Sequence, residues 1–210
     1  MTKIKRRGIM LVLSSPSGAG KSTIAKSVIE IDKDIIMSIS STTRKKRAGE
    51  YNRKDYNFIN SLEFKKQIKQ NLFFEWAKVF GNYYGTPKLW VEKALSKGKD
   101  VIFDIDWQGT QQLADQARDD LVSIFILPPS KVELEQRLKL RAQDTSFEVN
   151  KRMSLAGEEI SHYMEYDYII INNNLEESVS KVLTIINCER LKRFRQLGLS
   201  DFVKSLRSKM

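Results

Sequence analysis

The chain has one cysteine, one histidine, four prolines and no apolar run near the roughly 20 residues that a membrane-spanning helix needs. A single thiol, Cys188, excludes an intrachain disulfide and fits a reducing compartment, so a cytoplasmic protein is expected. Cys188 falls in an apolar helical pattern, which predicts burial rather than reactivity. The basic start, Met1 to Arg7, gives way to a short apolar run, Ile9 to Leu13, that leads straight into a glycine-rich turn. That reads as a first strand, not a signal peptide. His162 lies in a long helical pattern and reads as structural. Repeats, low-complexity tracts and Pro/Ser-rich linkers are all missing, so the 210 residues read as one domain or a core with small insertions.

The chain is 41% hydrophobic and 30% charged, with a net charge of +10. Such an excess suits anionic partners, nucleic acid or free nucleotides, and equally a set of solvated lysine-rich faces. No nucleic-acid recognition element stands out, so neither nucleic acid nor membrane is expected as a partner.

The turn after Leu13 reads Ser15-Pro16-Ser17-Gly18-Ala19-Gly20-Lys21-Ser22, followed by Thr23 and an apolar-periodic helix. It matches the phosphate-binding loop G-x-x-x-x-G-K-[ST] at its last three positions, with Ser15 in place of the first glycine. Gly18 and Gly20 let the backbone curl its N–H groups toward phosphate oxygens, and the helix N-terminus adds partial positive charge. Lys21 reaches the terminal phosphates, and the Ser22 hydroxyl suits Mg²⁺.

Apolar runs at Ile9–Leu13, Val101–Phe103, Leu121–Leu127 and Tyr168–Ile171, with a short one at 35–37, alternate with helical patterns over 22–31, 108–118, 130–141, 147–166 and 175–197. Continuous apolar strands in βα alternation predict an α/β fold with a parallel sheet flanked by helices. Residues 38–95 break the alternation. They are aromatic, polar and turn-rich, with strand character at 73–80, and read as a small α+β insertion. The segment 137–152 is polar, with arginines at helical spacing.

Asp104 ends an apolar strand, the position from which a carboxylate holds Mg²⁺ directly or through water. Asp106 points to the same side of an extended chain, or else caps the following helix. Arg44 and Arg47, with Tyr56 beyond them, offer bidentate forks and a hydroxyl for phosphate; a solvated turn explains the bare arginines as well.

These segments lie in a longer series: S-I-S-S-T-T-R-x-x-R-A-G-E, K-D-Y-x-F, F-x-E-W-A, G-N-Y-Y-G-T and D-I-D-x-Q-G, in that order behind the phosphate loop. The chain resembles guanylate kinase over nearly its whole length. The resemblance implies Mg²⁺-dependent transfer of the ATP γ-phosphate to GMP, with dGMP as a further candidate acceptor, within purine nucleotide metabolism. It implies a core (1–37, 96–136, 153–210), a GMP-binding insertion (38–95) and a helical lid (137–152), in a monomer or homodimer. By this resemblance Arg44, Arg47, Tyr56 and Tyr84 clamp the GMP phosphate, and Ser40, Glu75, Thr86 and Asp106 face guanine, with Asp104 alongside. Arg137, Arg141 and Arg152 bind phosphates from the lid and its flanks, and Asn172 touches the adenine. Arg53 stands where the family commonly has glycine. A kinase for another nucleoside monophosphate is disfavoured by the carboxylate at Glu75. A peptide-binding module of the same fold is disfavoured by the intact Gly20-Lys21-Ser22.

Overall fold

The computed structural model describes residues 4–79, 81–141 and 146–208, without the side chains of 141 and 146–151. Phe80 and residues 142–145, part of the segment expected to form a lid, lie outside the described residues. In chain order the elements are β1 (Lys5–Arg6), β2 (Met10–Ser14), α1 (Lys21–Ile31), β3 (Ile35–Met37), β4 (Ser41–Thr42), β5 (Asn57–Phe58), α2 (Ser61–Lys69), β6 (Phe73–Val79), β7 (Asn82–Pro87), α3 (Lys88–Ser96), β8 (Asp100–Phe103), α4 (Trp107–Ala117), β9 (Leu121–Leu127), α5 (Lys131–Arg141), α6 (Ser146–Ser161), β10 (Tyr168–Ile171), α7 (Leu175–Arg190), β11 (Gln196–Leu197) and α8 (Leu199–Arg207).

The five core strands form one parallel sheet in the order β10-β9-β2-β8-β3. Its strands are apolar on both sides because both faces are covered. Ile9, Leu11 and Leu13 pack with Ile24 and Val28 of α1 and Val179, Val182 and Ile186 of α7. Met10 and Val12 face the other way, toward Val91 and Leu95 of α3 and Leu113 of α4. Residues 88–95, placed in the insertion from sequence, thus form most of α3, and Val91, Ala94 and Leu95 join the core cluster. Since β2 lies beside both β8 and β9, the crevice outside its C-terminal end is the topological switch point where α/β sheets place ligands.

The insertion carries a mixed sheet, β5-β4-β7-β6. A register shift between Phe73 and Glu75 lets Phe73 stack on Phe64, 4.6 Å between centroids, while Phe74 enters the core cluster. Edge strand β6 is covered by α4: Gln112 bonds both the N–H and the carbonyl of Trp76, and Gln116 donates to the Phe74 carbonyl.

Under the sheet, buried Asp100 accepts from Arg6, from the Ile9 amide and from Arg190, which also pairs with Asp32. Arg195, 1% exposed, donates to the Asp119 carbonyl. This network explains why the helix expected over 175–197 stops at Arg190. The chain turns through Arg193–Arg195 to bring Arg195 to Asp120, leaving Leu191 and Phe194 exposed although they continue the apolar period. The last helical pattern before β10 likewise ends early, at Ser161, and passes into a 3-10 turn. Cys188 is exposed, contrary to the burial expected of it. His162 is structural: it stacks on Trp107, 3.7 Å between centroids, and pairs with Glu165 at 2.6 Å.

Gly8 enters β2 with no room for a side chain. A Cβ there would lie 1.9 Å from the Lys99 carbonyl oxygen. Gly8→Ala should therefore destabilise the chain by about 3 kcal/mol, the upper end of overpacking costs. An unchanged urea midpoint with unchanged slope would contradict the packing described.

Candidate active site

One end of the site is the turn from Ser14 to Lys21. Gly18 and Gly20 have φ of +94° and +100°, a region that side chains disfavour. Gly20 has a second reason to lack a Cβ, which would come within 2.5 Å of the Asn172 amide nitrogen. Buried Asn172 donates from that nitrogen to the Ala19 carbonyl at 2.8 Å and accepts from the Ser178 hydroxyl at 2.9 Å. The residue expected to meet adenine is thus committed to the loop's shape. Ser15 has no positive φ, so the first glycine of the motif is dispensable here.

A cavity of about 550 Å³ opens over the loop, lined by Ser15, Pro16, Ser17, Lys21, Ser22 and Thr23 together with Asp104, Arg137 and Asn172. Strand adjacency brings Lys21 to Asp104: β2 and β8 pair in parallel, so their C-terminal ends lie side by side. Lys21 Nζ meets Asp104 Oδ1 at 2.5 Å. Arg137 pairs with Glu133 at 2.9 Å, one turn away, and reaches the Asn172 carbonyl at 3.3 Å. Arg152 lies on α6, and the Arg141 side chain is outside the described residues.

The other end lies in the insertion. Glu75 and Thr86 are cross-strand partners. The Thr86 hydroxyl donates to Glu75 Oε1 at 2.6 Å and lies 3.2 Å from the Ser40 hydroxyl. Burial pushes the Glu75 carboxyl up to about 7; the Thr86 hydrogen bond opposes the shift and the nearby Asp106 charge adds to it. Asp106 itself is the N-cap of α4, accepting from the Gly109 amide at 3.0 Å. The capping alternative therefore holds, with the side chain still near enough to Glu75 to act on it.

Arg44 is aimed by the threonines before it. The Thr42 hydroxyl donates to the Tyr83 carbonyl and accepts from the Arg44 amide, while Thr43 accepts from the Tyr83 amide. The Arg44 guanidinium lies 5.3 Å from the Tyr56 ring centre, and the Tyr56 and Tyr84 rings are 6.1 Å apart. These three converge; the Arg47 side chain is exposed. Burial raises the Tyr56 hydroxyl pKa, and Asp104 is close enough to contribute, which ties the two ends of the site together. Arg53 takes φ +64°, the left-handed shape for which glycine is the easy choice, so a bulkier residue here adopts a backbone conformation that suits glycine.

Two carboxylates went unassigned from sequence. Glu50 forks onto Arg44 at 2.6 and 3.1 Å and accepts the Arg47 amide at 2.8 Å. Glu159 lines the loop cavity and accepts the Ser17 amide at 3.2 Å. Glu50 stands in the quoted R-A-G-E run, three residues after Arg47. Glu159 carries no local signal, because only the packing of α6 brings it to the loop.

A sequence model described as guanylate kinase matches residues 7–189. A guanylate kinase of Paramagnetospirillum magneticum is 55% identical over 97% of this chain and 95% of its own length. One from Rhodospirillum rubrum is 55% identical over 97% and 94%. The crystal structure of guanylate kinase from Anaplasma phagocytophilum is 38% identical, with a TM-score of 0.75 over 97% of each chain.

Glu75 also makes a stability prediction. Its folded pKa, about 7, lies above the ordinary 4.5, so the folded chain binds the extra proton between those values. Stability is then lost as pH rises from about 4.5 to 7. Glu75→Gln removes the buried charge and should stabilise the chain at pH 8 by about 3 kcal/mol, an upper estimate, with little difference at pH 4. Urea denaturation at both pH values reads this directly. A variant less stable than the parent at pH 8 would show that the buried charge is not the penalty described.

Proposed function

The chain belongs to the guanylate kinase family and is an ATP:GMP phosphotransferase that forms ADP and GDP; we propose that ATP lies over the loop of Ser15 to Thr23 and GMP in the insertion. Three functional parts follow from this reading: the core, the insertion and a lid built from the segment 137–152.

The observation that carries the acceptor assignment is the row Ser40–Thr86–Glu75, buried at Thr86 and Glu75 and half-buried at Ser40. Guanine offers N1–H and N2–H₂ as donors and O6 as acceptor. A carboxylate accepts from the two donors, and the hydroxyls face O6. Adenine reverses that edge and leaves Glu75 unpaired in a buried place, a mismatch worth about 10⁴ or more in discrimination. Arg44, Tyr56 and Tyr84 take the GMP phosphate, with Arg47 joining when the anion is present.

Phosphoryl transfer is chiefly positioning and charge stabilisation. The loop amides and Lys21 orient the ATP phosphates, and Arg137, Arg141 and Arg152 offset charge on the moving group. Arg44 holds the attacking GMP phosphate in line. The Ser22 hydroxyl and the Asp104 carboxylate supply one neutral and one anionic oxygen beside the phosphates, a donor set that suits a small hard cation completed by phosphate and water. Bound there, Mg²⁺ neutralises phosphate charge. No described helix is long and apolar enough to cross a membrane. We place the protein in the cytoplasm as a monomer or homodimer.

Lys21→Ala should lower turnover by at least about a hundredfold, as loss of a transition-state donor does. GMP affinity should stay within about twofold, because the acceptor pocket is separate. Calorimetry with GMP and a coupled assay of ADP formation test both parts. Loss of GMP binding along with turnover would contradict the division of the site.

A further inference from the structure

The mechanism above leaves Glu159 without a role, yet its carboxylate sits inside the donor cradle. It accepts from the Ser17 amide at 3.2 Å, one of the successive loop N–H groups that such a turn aims at phosphate. It shares the cavity with Lys21, whose positive charge acts on it, and with Asp104, which is already paired to that lysine. A carboxylate satisfies an anion cradle in the way a phosphate does: oxygen acceptors, negative charge, similar reach. The packing of α6 brings Glu159 to the loop but does not enclose it. Glu159 is only half-buried and sits near the end of α6, where solvent is an alternative.

We propose that Glu159 is an internal phosphate surrogate that guards the donor site: it occupies the Ser17 amide in the nucleotide-free chain, and ATP binds by expelling it. This rests on the reading that the loop takes ATP. An incoming phosphate at Ser17 and the Glu159 carboxylate cannot share one N–H, and two negative charges about 4 Å apart oppose each other by roughly fivefold in affinity even in a water-like medium. Glu159 thereby sets the donor affinity below what the bare cradle offers, which favours release of ADP.

The expulsion is also felt by the lid. Glu159 follows Arg152 by seven residues, two turns along the same face of α6. Helix α6 packs on α5 through Met153, Ala156, Leu134 and Leu138. Leu134 and Leu138 in turn lie against the loop at Gly18, where a Cβ would come within 3.2 and 3.0 Å of them. Helices α5 and α6, which run into the segment 137–152 from either side, therefore rest on adjacent loop residues, Gly18 through apolar contact and Ser17 through Glu159, and ATP removes the second of these supports.

The test is calorimetry of wild type, Glu159→Gln and Glu159→Ala with Mg²⁺ and a non-hydrolysable ATP analogue, each protein first checked for a cooperative urea transition. Either folded variant should bind the analogue about fivefold more tightly or better, and ADP likewise, with GMP affinity unchanged. A merely structural Glu159 would leave donor affinity unchanged or weakened in the folded variants, and that result overturns the proposal. A wild-type chain that binds no analogue at all overturns the donor reading of the loop, and the surrogate role with it.

Discussion

The site depends on the hydrogen bond from the Asn172 amide to the Ala19 carbonyl, 2.8 Å long and buried. A phosphate loop works only if its N–H groups are pointed into a cleft and left for a ligand, so the loop cannot be held by the usual helix or sheet ladder. Something outside it must fix its shape through the carbonyl side. Asn172 does so from the end of β10, and the Ser178 hydroxyl fixes Asn172 from α7. Gly20 is required at the point of closest approach. The end of β10 and the start of α7, about 150 residues away in sequence, thus converge on one turn, and the parallel sheet beneath supplies the rigid frame on which they do so.

The same cleft is organised by carboxylates that face cations or stand where anions belong. Asp104 meets Lys21, Glu50 holds Arg44, Glu133 holds Arg137 and Glu159 occupies the loop. Clustered arginines and lysine repel one another without such partners. The carboxylates order the cationic groups, and the exchange of carboxylate for phosphate proposed for Glu159 would leave the loop available to a nucleotide. Glu75 is the contrasting case. It is buried beside Asp106, no cation among the described residues offsets it, and its raised pKa records the resulting cost to stability, in keeping with the recognition role proposed for it.

Much of this was legible in the sequence, and for physical reasons. Five apolar runs became the five parallel strands because strands buried on both faces leave no other pattern. The loop, Lys21 and Asp104 were readable because their chemistry fixes local spacing. What escaped depended on packing across long separations. The apolar period through Leu191 and Phe194 promised a continuing helix, but the buried charge of Arg195 and its carboxylate partners set the stop. Asn172 read as a ligand contact, and its bracing of the loop through the Ala19 carbonyl did not show in the local sequence. Glu159 gave no sign, because its partner, the Ser17 amide, lies 142 residues away in the chain.

The central claim is that an acceptor edge, buried Glu75 and Thr86 with half-buried Ser40, selects guanine for the phosphoryl group delivered from the loop. The most direct measurement is ADP formation from ATP with GMP, AMP, CMP and UMP in turn, at one Mg²⁺ concentration and pH 7.5. The account predicts efficient turnover with GMP and a kcat/KM for AMP lower by about 10⁴. Turnover of AMP within tenfold of GMP would contradict it.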